Sequence, residues 1–153
     1  MKKKLNNKFF FKDVVIVQKT KRIKQSKGDV YKFVDTNSSL FKSFGEIYFT
    51  EVKKNYTKGW KKHKKNFSLI KIIIGKIKLT FFYKEKFYSI DINHLDNVII
   101  QIPPKVWYAF KGIGKKNLLS NVINKKHSDM EVETKSIKLF NKEIKEIKEN
   151  EKN

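Results

Sequence analysis

The chain has no cysteine, which excludes a disulfide framework and any thiolate metal site. Two prolines and six glycines in 153 residues are too few for a linker or low-complexity protein. No apolar run approaches the roughly 18–20 residues that a membrane-spanning helix needs. The N-terminal MKKKLNNKFFFKDVVIVQ sets lysines before an apolar patch. Lys8, Lys12 and Asp13 interrupt that patch and no small-residue cleavage site follows, so a secretory signal is not expected. Together these absences lead to the expectation of a cytoplasmic chain with no membrane partner. Arginine is scarce too: Arg22 stands alone among the cations, although readers of base edges and phosphates favour the arginine fork.

What is abundant is lysine, with asparagine and isoleucine alongside it, and a formal net charge of +21. The lysines are spread along the whole chain, in the pattern of an AT-rich coding sequence with solvated faces, so no nucleic-acid partner is expected. The potential does favour a small anionic ligand such as a nucleotide diphosphate. Thirteen phenylalanines and ordinary apolar content argue against global disorder, and the length suits one domain with a real core.

Periodicity points to strands. Ile77, Leu79, Phe81 and Tyr83 share one parity against Lys76, Lys78, Thr80 and Phe82, so the first set should face inward. After a turn at 84–86, Tyr88, Ile90 and Ile92 line one face of a hairpin partner. Further strands are expected at 13–18, 29–34, 45–52, 98–102, 106–110 and 118–123, with Pro103-Pro104 closing one of them. Short strands with turn signals every eight to twelve residues imply an all-β sandwich or barrel. Residues 1–12 read as a basic extension, loose at its start, and 13–135 as the folded domain. In 136–153, Ile137, Phe140, Ile144 and Ile147 recur at helical spacing, which predicts a short amphipathic helix that frays after Lys148.

The chain turns on Lys58–Gly75 (KGWKKHKKNFSLIKIIIG), read as a basic loop running into an apolar strand that stops at a glycine. Of the three histidines, His94 reads as an exposed turn residue. No HxH or HExxH occurs, and Lys65 sits where a second imidazole would, so no metal is expected. His63 is the candidate general base, because imidazole ordinarily titrates near neutrality; the alternative is a surface histidine. Lys58 and Lys61 are candidates for phosphate oxygens or are simply solvated. Trp60, Trp107 and Tyr108 read as core or rim packing, or as walls of a ligand pocket.

Taken in order, GEIYFTEV, KGWKKHKK, SLIKIIIGKIKL, IPPKVWYAFKGIG and NLLSNVINKKHSDMEVE resemble the dTDP-4-dehydrorhamnose 3,5-epimerase family, in a shorter branch. The match runs from about Gly28 to about Glu133. The resemblance implies a cupin-type β jelly roll, a homodimer, no cofactor, and a barrel that binds a nucleotide-diphosphate sugar. It also implies proton removal beside a ketone, in the making of a surface-polysaccharide sugar. On it, the family's histidine in R-G-L-H corresponds to His63 and its arginine to Lys58, although two additional residues separate Gly59 from the histidine. The family lysine falls near Ser68 and the family tyrosine acid near Asn121, so both are lost. Tyr108, and after it Tyr83, are substitutes for the acid, with Trp107 a wall of the site and Asn121 in contact with substrate. The carboxylate that orients the histidine lies in a region this chain largely lacks. His127, Asp129 and Glu131 are expected to secure their own segment by hydrogen bonds. The expected function is a nucleotide-sugar epimerase or isomerase acting on a 4-keto-6-deoxy sugar. The alternative is a non-catalytic cupin that binds a sugar nucleotide or glycan.

Overall fold

Alternation of apolar and polar residues becomes the two best-formed antiparallel partners in the computed structural model, which describes residues 2–5, 8–11, 13–138 and 140–141. Strands β1 (Lys2–Leu5), β2 (Lys8–Phe11), β3 (Val15–Lys19), β4 (Arg22–Ile23), β5 (Val30–Tyr31), β6 (Glu46–Glu51) and β7 (Thr57–His63) come first. Then follow β8 (Ser68–Ile74), β9 (Lys76–Tyr83), β10 (Lys86–Asn93), β11 (Val98–Ile102), β12 (Trp107–Gly112), β13 (Leu118–Ile123) and β14 (Val132–Thr134). One sheet has the order β1-β2-β3-β11-β8-β13-β6 and the other β10-β9-β12-β7-β14. All their strand pairs are antiparallel, the arrangement of an all-β jelly roll. Residues 2–5 and 8–11, expected to be loose at their start, pair as a hairpin that extends the first sheet through β3.

The expected inward set of β9 is inward: Ile77, Leu79 and Phe81 are buried, and Tyr83 packs half-buried against the same cluster. Neighbouring β12 adds Phe110 and the facing sheet adds Ile70, Ile72, Ile100, Ile102 and Leu119, so the main core lies between the sheets. β8 and β11 read as continuous apolar runs because their outer faces are covered as well. Leu69, Ile99 and Val122 meet Leu40 there, with Phe33 and Val34 packed against them. The outer face of the second sheet carries Trp60, Ala109 and Trp107 under Phe140, whose ring stacks on Trp60 at 4.4 Å. Residues 137, 138, 140 and 141 are helical, which starts the expected tail helix; Ile144, Ile147 and the fraying after Lys148 lie outside the described residues. Gly75 makes the turn from β8 to β9 with a φ of +84°, and an added Cβ would run into the Lys116 carbonyl.

Lys71 stands on the outer face of β8, buried, where no carboxylate among the described residues meets it. Its three ammonium protons go to Thr20 Oγ1 (2.7 Å), the Lys32 carbonyl (2.9 Å) and Asn97 Oδ1 (2.8 Å). Burial lowers its pKa to about 8 from the ordinary 10.5. Between those two values the unfolded chain holds the proton and the folded chain releases it, so this group makes stability rise with pH over that interval. Replacing Lys71 by Met takes the ammonium donor from Thr20 Oγ1 and the Lys32 carbonyl, while Asn97 Oδ1 keeps the Thr20 hydroxyl, and is expected to cost about 1–3 kcal/mol near neutral pH. Urea titrations from pH 7 to 10 should give that loss, with the rise above pH 8 gone from the variant. Equal stability of the two proteins at pH 7 would count against the tripod.

Candidate active site

The stretch expected to be a basic loop is a strand. Thr57–His63 pairs with β12 on one side and, near its end, with β14 on the other, so the ladder is supplied by its neighbours. Lysine-rich composition hid it, because strand propensity reflects fit to a half-buried surface more than intrinsic preference. The pairing also carries a bulge. Tyr108 faces Lys61 while Ala109 faces Gly59, which leaves Trp60 as the additional residue. In an unbroken strand Lys58 and Lys61 would point to opposite faces; the bulge brings both onto the wall of one cavity and turns Trp60 outward. Gly59 is required there: its φ is +143°, and a Cβ would sit 2.6 Å from that of Ala109.

The cavity, of ≈ 280 Å³, lies between the sheets. β12 and β7 give it Tyr108, Phe110, Lys58, Gly59 and Lys61; β6 and β13 give Tyr48, Thr50, Leu119 and Asn121. His63 adjoins it through Tyr108, the two rings lying nearly parallel (21°) with centroids 6.3 Å apart. The imidazole is 3% exposed. Its Nδ1 is 2.7 Å from Glu131 Oε2. A carboxylate only accepts, so Nδ1–H donates and Nε2 is the atom left to take up or give back a proton. Nε2 is buried and meets no hydrogen-bond partner among the described residues.

Glu131 is held in turn. Its Oε1 accepts from the backbone N–H groups of Lys65 and Asn66, both at 2.8 Å. Burial works to raise its pKa, but the bonds from His63, Lys65 and Asn66 outweigh it and hold the carboxyl below the ordinary range. Thus the chain does carry a carboxylate that orients the histidine, contrary to the expectation that it lacks one. The expected tethering role is present as well, since Glu131 ties the 64–66 turn to the strap before β14. His127 and Asp129 pair with each other on the surface.

The other expected site residues divide. Tyr108, Lys58, Lys61 and Asn121 line the cavity. Trp107 does not: alternation along β12 puts it on the outer face, where Lys62 and Lys135 lie over its ring at 4.8 and 5.6 Å. Tyr83 packs against the main core away from this wall. Tyr48 was missed. It pairs with Asn121 across β6 and β13, and Asn121 Nδ2 donates to its phenol oxygen at 2.8 Å. The Tyr48 hydroxyl therefore keeps its own proton to donate. Burial is the main cause raising both tyrosine pKa values, opposed at Tyr48 by the Asn121 bond and at Tyr108 by the neighbouring Ser68 hydroxyl. The Asn121–Tyr48 contact stands where the resemblance implies that the family tyrosine is lost, and no spacing within either strand reveals it. Among the described residues no three His, Asp or Glu side chains gather as a metal site.

A jelly roll enclosing an oriented imidazole, two tyrosines and a cationic rim is the cupin type, and its structural neighbours are dTDP-sugar isomerases and dTDP-4-dehydrorhamnose 3,5-epimerases. Among them is the dTDP sugar isomerase from Desulfovibrio desulfuricans G20, 27% identical, with a TM-score of 0.74 over 80% of this chain and 83% of that one. QdtA, a sugar 3,4-ketoisomerase from Thermoanaerobacterium thermosaccharolyticum solved with TDP, has 19% identity and a TM-score of 0.72 over 94% of this chain and 98% of its own. The epimerase RmlC from Legionella pneumophila Philadelphia 1, in complex with dTDP-4-keto-L-rhamnose, has 9% identity and a TM-score of 0.70 over 80% and 73%. The last two share the fold. No protein-family model and no curated protein matches the chain.

Proposed function

We propose that this chain is a dTDP-sugar isomerase or epimerase that acts on a 4-keto-6-deoxy sugar. The observation that carries the reading is the Glu131–His63 pair beside Tyr108, with Nε2 left without a partner. A pocket that only binds has no use for a buried imidazole fixed in one tautomer, which weighs against the non-catalytic alternative. The structural likeness to a dTDP sugar isomerase at 27% identity supports the substrate class.

In this reading Nε2 of His63 removes the proton from carbon next to the C4 ketone. The C–H electron pair becomes a C=C bond and the carbonyl electrons move to the C4 oxygen, giving an enolate. Loss of the C3 proton yields a 3,4-enediolate whose fate depends on where the next proton arrives. Delivery to the opposite face of C3 gives the epimer, and delivery to C4 with oxidation level exchanged gives the 3-ketone. Tyr48 and Tyr108 are the candidate donors, and Lys58 and Lys61 are placed for the diphosphate. A homodimer is part of the proposal, supported by the edge strand β6 with Ile47 and Phe49 exposed on its outer face. So is a cytoplasmic location; among the described residues no helix is long and apolar enough to cross a membrane.

The direct test is incubation of the protein with dTDP-4-keto-6-deoxyglucose in D2O, followed by NMR. Deuterium at a carbon next to the ketone, with a new epimer or ketone isomer, is expected. Tight binding without exchange at any carbon would instead favour the non-catalytic cupin.

A further inference from the structure

The cavity does not end at Lys58. A second hollow, lined by Glu51, Lys53, Tyr56, Thr57 and Lys58, shares that lysine with the first and opens at the start of β7. Tyr56 stands in it 68% exposed, with no ring contact among the described residues. The backbone beneath the ring is fixed. Tyr56 N donates to Lys53 O (3.1 Å), Gly112 N to Tyr56 O (3.0 Å) and Asn55 N to Gly112 O (2.8 Å). A bare aromatic ring on a tied-down turn is a platform that loses little freedom when something stacks on it.

From the geometry we infer that Tyr56 is the stacking platform for the nucleobase of the bound nucleotide, a deepening that rests on the nucleotide-sugar reading above. Along β7 and the turn before it the residues come in the order that such a ligand requires. His63 and Lys61 are two residues apart, Lys58 follows beyond the bulge, and Tyr56 two residues further on. At about 3.3 Å per residue the strand spans about 20 Å from His63 to Tyr56, less what the bulge takes up. Sugar at His63, diphosphate between Lys61 and Lys58, and nucleoside over Tyr56 is the sequence of parts in an extended nucleoside diphosphate sugar. Every residue lining the outer hollow is exposed, so the base is held by stacking and by the surrounding cations rather than by buried readers of its edge.

The test is calorimetric titration of the full chain, as Tyr56→Ala and Tyr56→Phe, with dTDP and separately with inorganic pyrophosphate, which lacks the nucleoside. Loss of the ring should weaken dTDP roughly 5- to 150-fold, the effect of removing one base–aromatic stack. Pyrophosphate binding should be unchanged, and Tyr56→Phe should bind dTDP as the parent does. Unchanged dTDP affinity in Tyr56→Ala, or an equal loss for pyrophosphate, overturns the platform while leaving the nucleotide-sugar reading intact. If the unsubstituted chain binds no dTDP, the nucleotide-sugar reading falls and the platform with it.

Discussion

Substitution of His63 by Asn should lower turnover by about 10²–10⁴-fold, the usual contribution of a positioned general base, and should abolish solvent deuterium incorporation. The variant keeps a side chain of similar reach but has no basic nitrogen, so binding of dTDP should be unaffected while exchange stops. Unchanged exchange would remove His63 from the chemistry. The companion variant is Glu131→Gln, which separates base from positioning residue. A glutamine offers an N–H as well as an oxygen to Nδ1, and a donor there would favour the tautomer whose Nε2 carries the proton and is no longer a base. Its loss should show mainly in kcat. The pH dependence should change with it. The Glu131 carboxyl lies below its ordinary pKa of 4.5, so its bonds are fully present above that value and are lost as the pH falls through the folded-state pKa. Parent stability should therefore drop in acid through this group, and Glu131→Gln should lack that part of the drop.

The same residues mark how far sequence reasoning reaches. Period-2 alternation located β9 and β10 and their inward faces, because a strand with one wet face must alternate. It could not read β7, whose lysines face a cavity and solvent while the ladder to β12 holds the backbone extended. Nor could it read the bulge at Trp60, which depends on pairing with a strand nearly fifty residues later and decides that Lys58 and Lys61 share a wall. His63 was legible as the one imidazole among the lysines of its stretch. Its carboxylate was not, since Glu131 lies 68 residues away and its spacing to nearby residues carries no trace of the contact. Tyr48 alternates with exposed Phe49 and Ile47 like any edge-strand residue, and only the register with Asn121 brings it to the cavity. The resemblance pointed to strands that line the cavity, and three-dimensional pairing put Trp107 outside it and brought Tyr48 onto its wall.

Tyr48→Phe should be the second most damaging change, with a loss of about 10²–10⁴-fold in product formation, and it separates the two outcomes open to the enediolate. Tyr48 belongs to the seven-stranded sheet, whereas His63 and Tyr108 both belong to the five-stranded one. A proton donor on the wall opposite the base delivers to the opposite face of the ring, which inverts the carbon. Asn121 already supplies the phenol oxygen with a donor, so the Tyr48 proton has the cavity side to itself. Tyr108 is almost wholly buried beside His63, and its raised pKa makes it the poorer acid. If Tyr48 returns the proton, Tyr48→Phe should still wash deuterium into the substrate through His63 while the inverted product disappears. If instead its hydroxyl only steadies the C4 oxygen, exchange and product should fall together. Should Tyr48→Phe leave both intact and Tyr108→Phe abolish turnover, the donor stands on the same wall as the base. The proton would then return on the face it left, which fits ketone migration between C3 and C4 and not inversion.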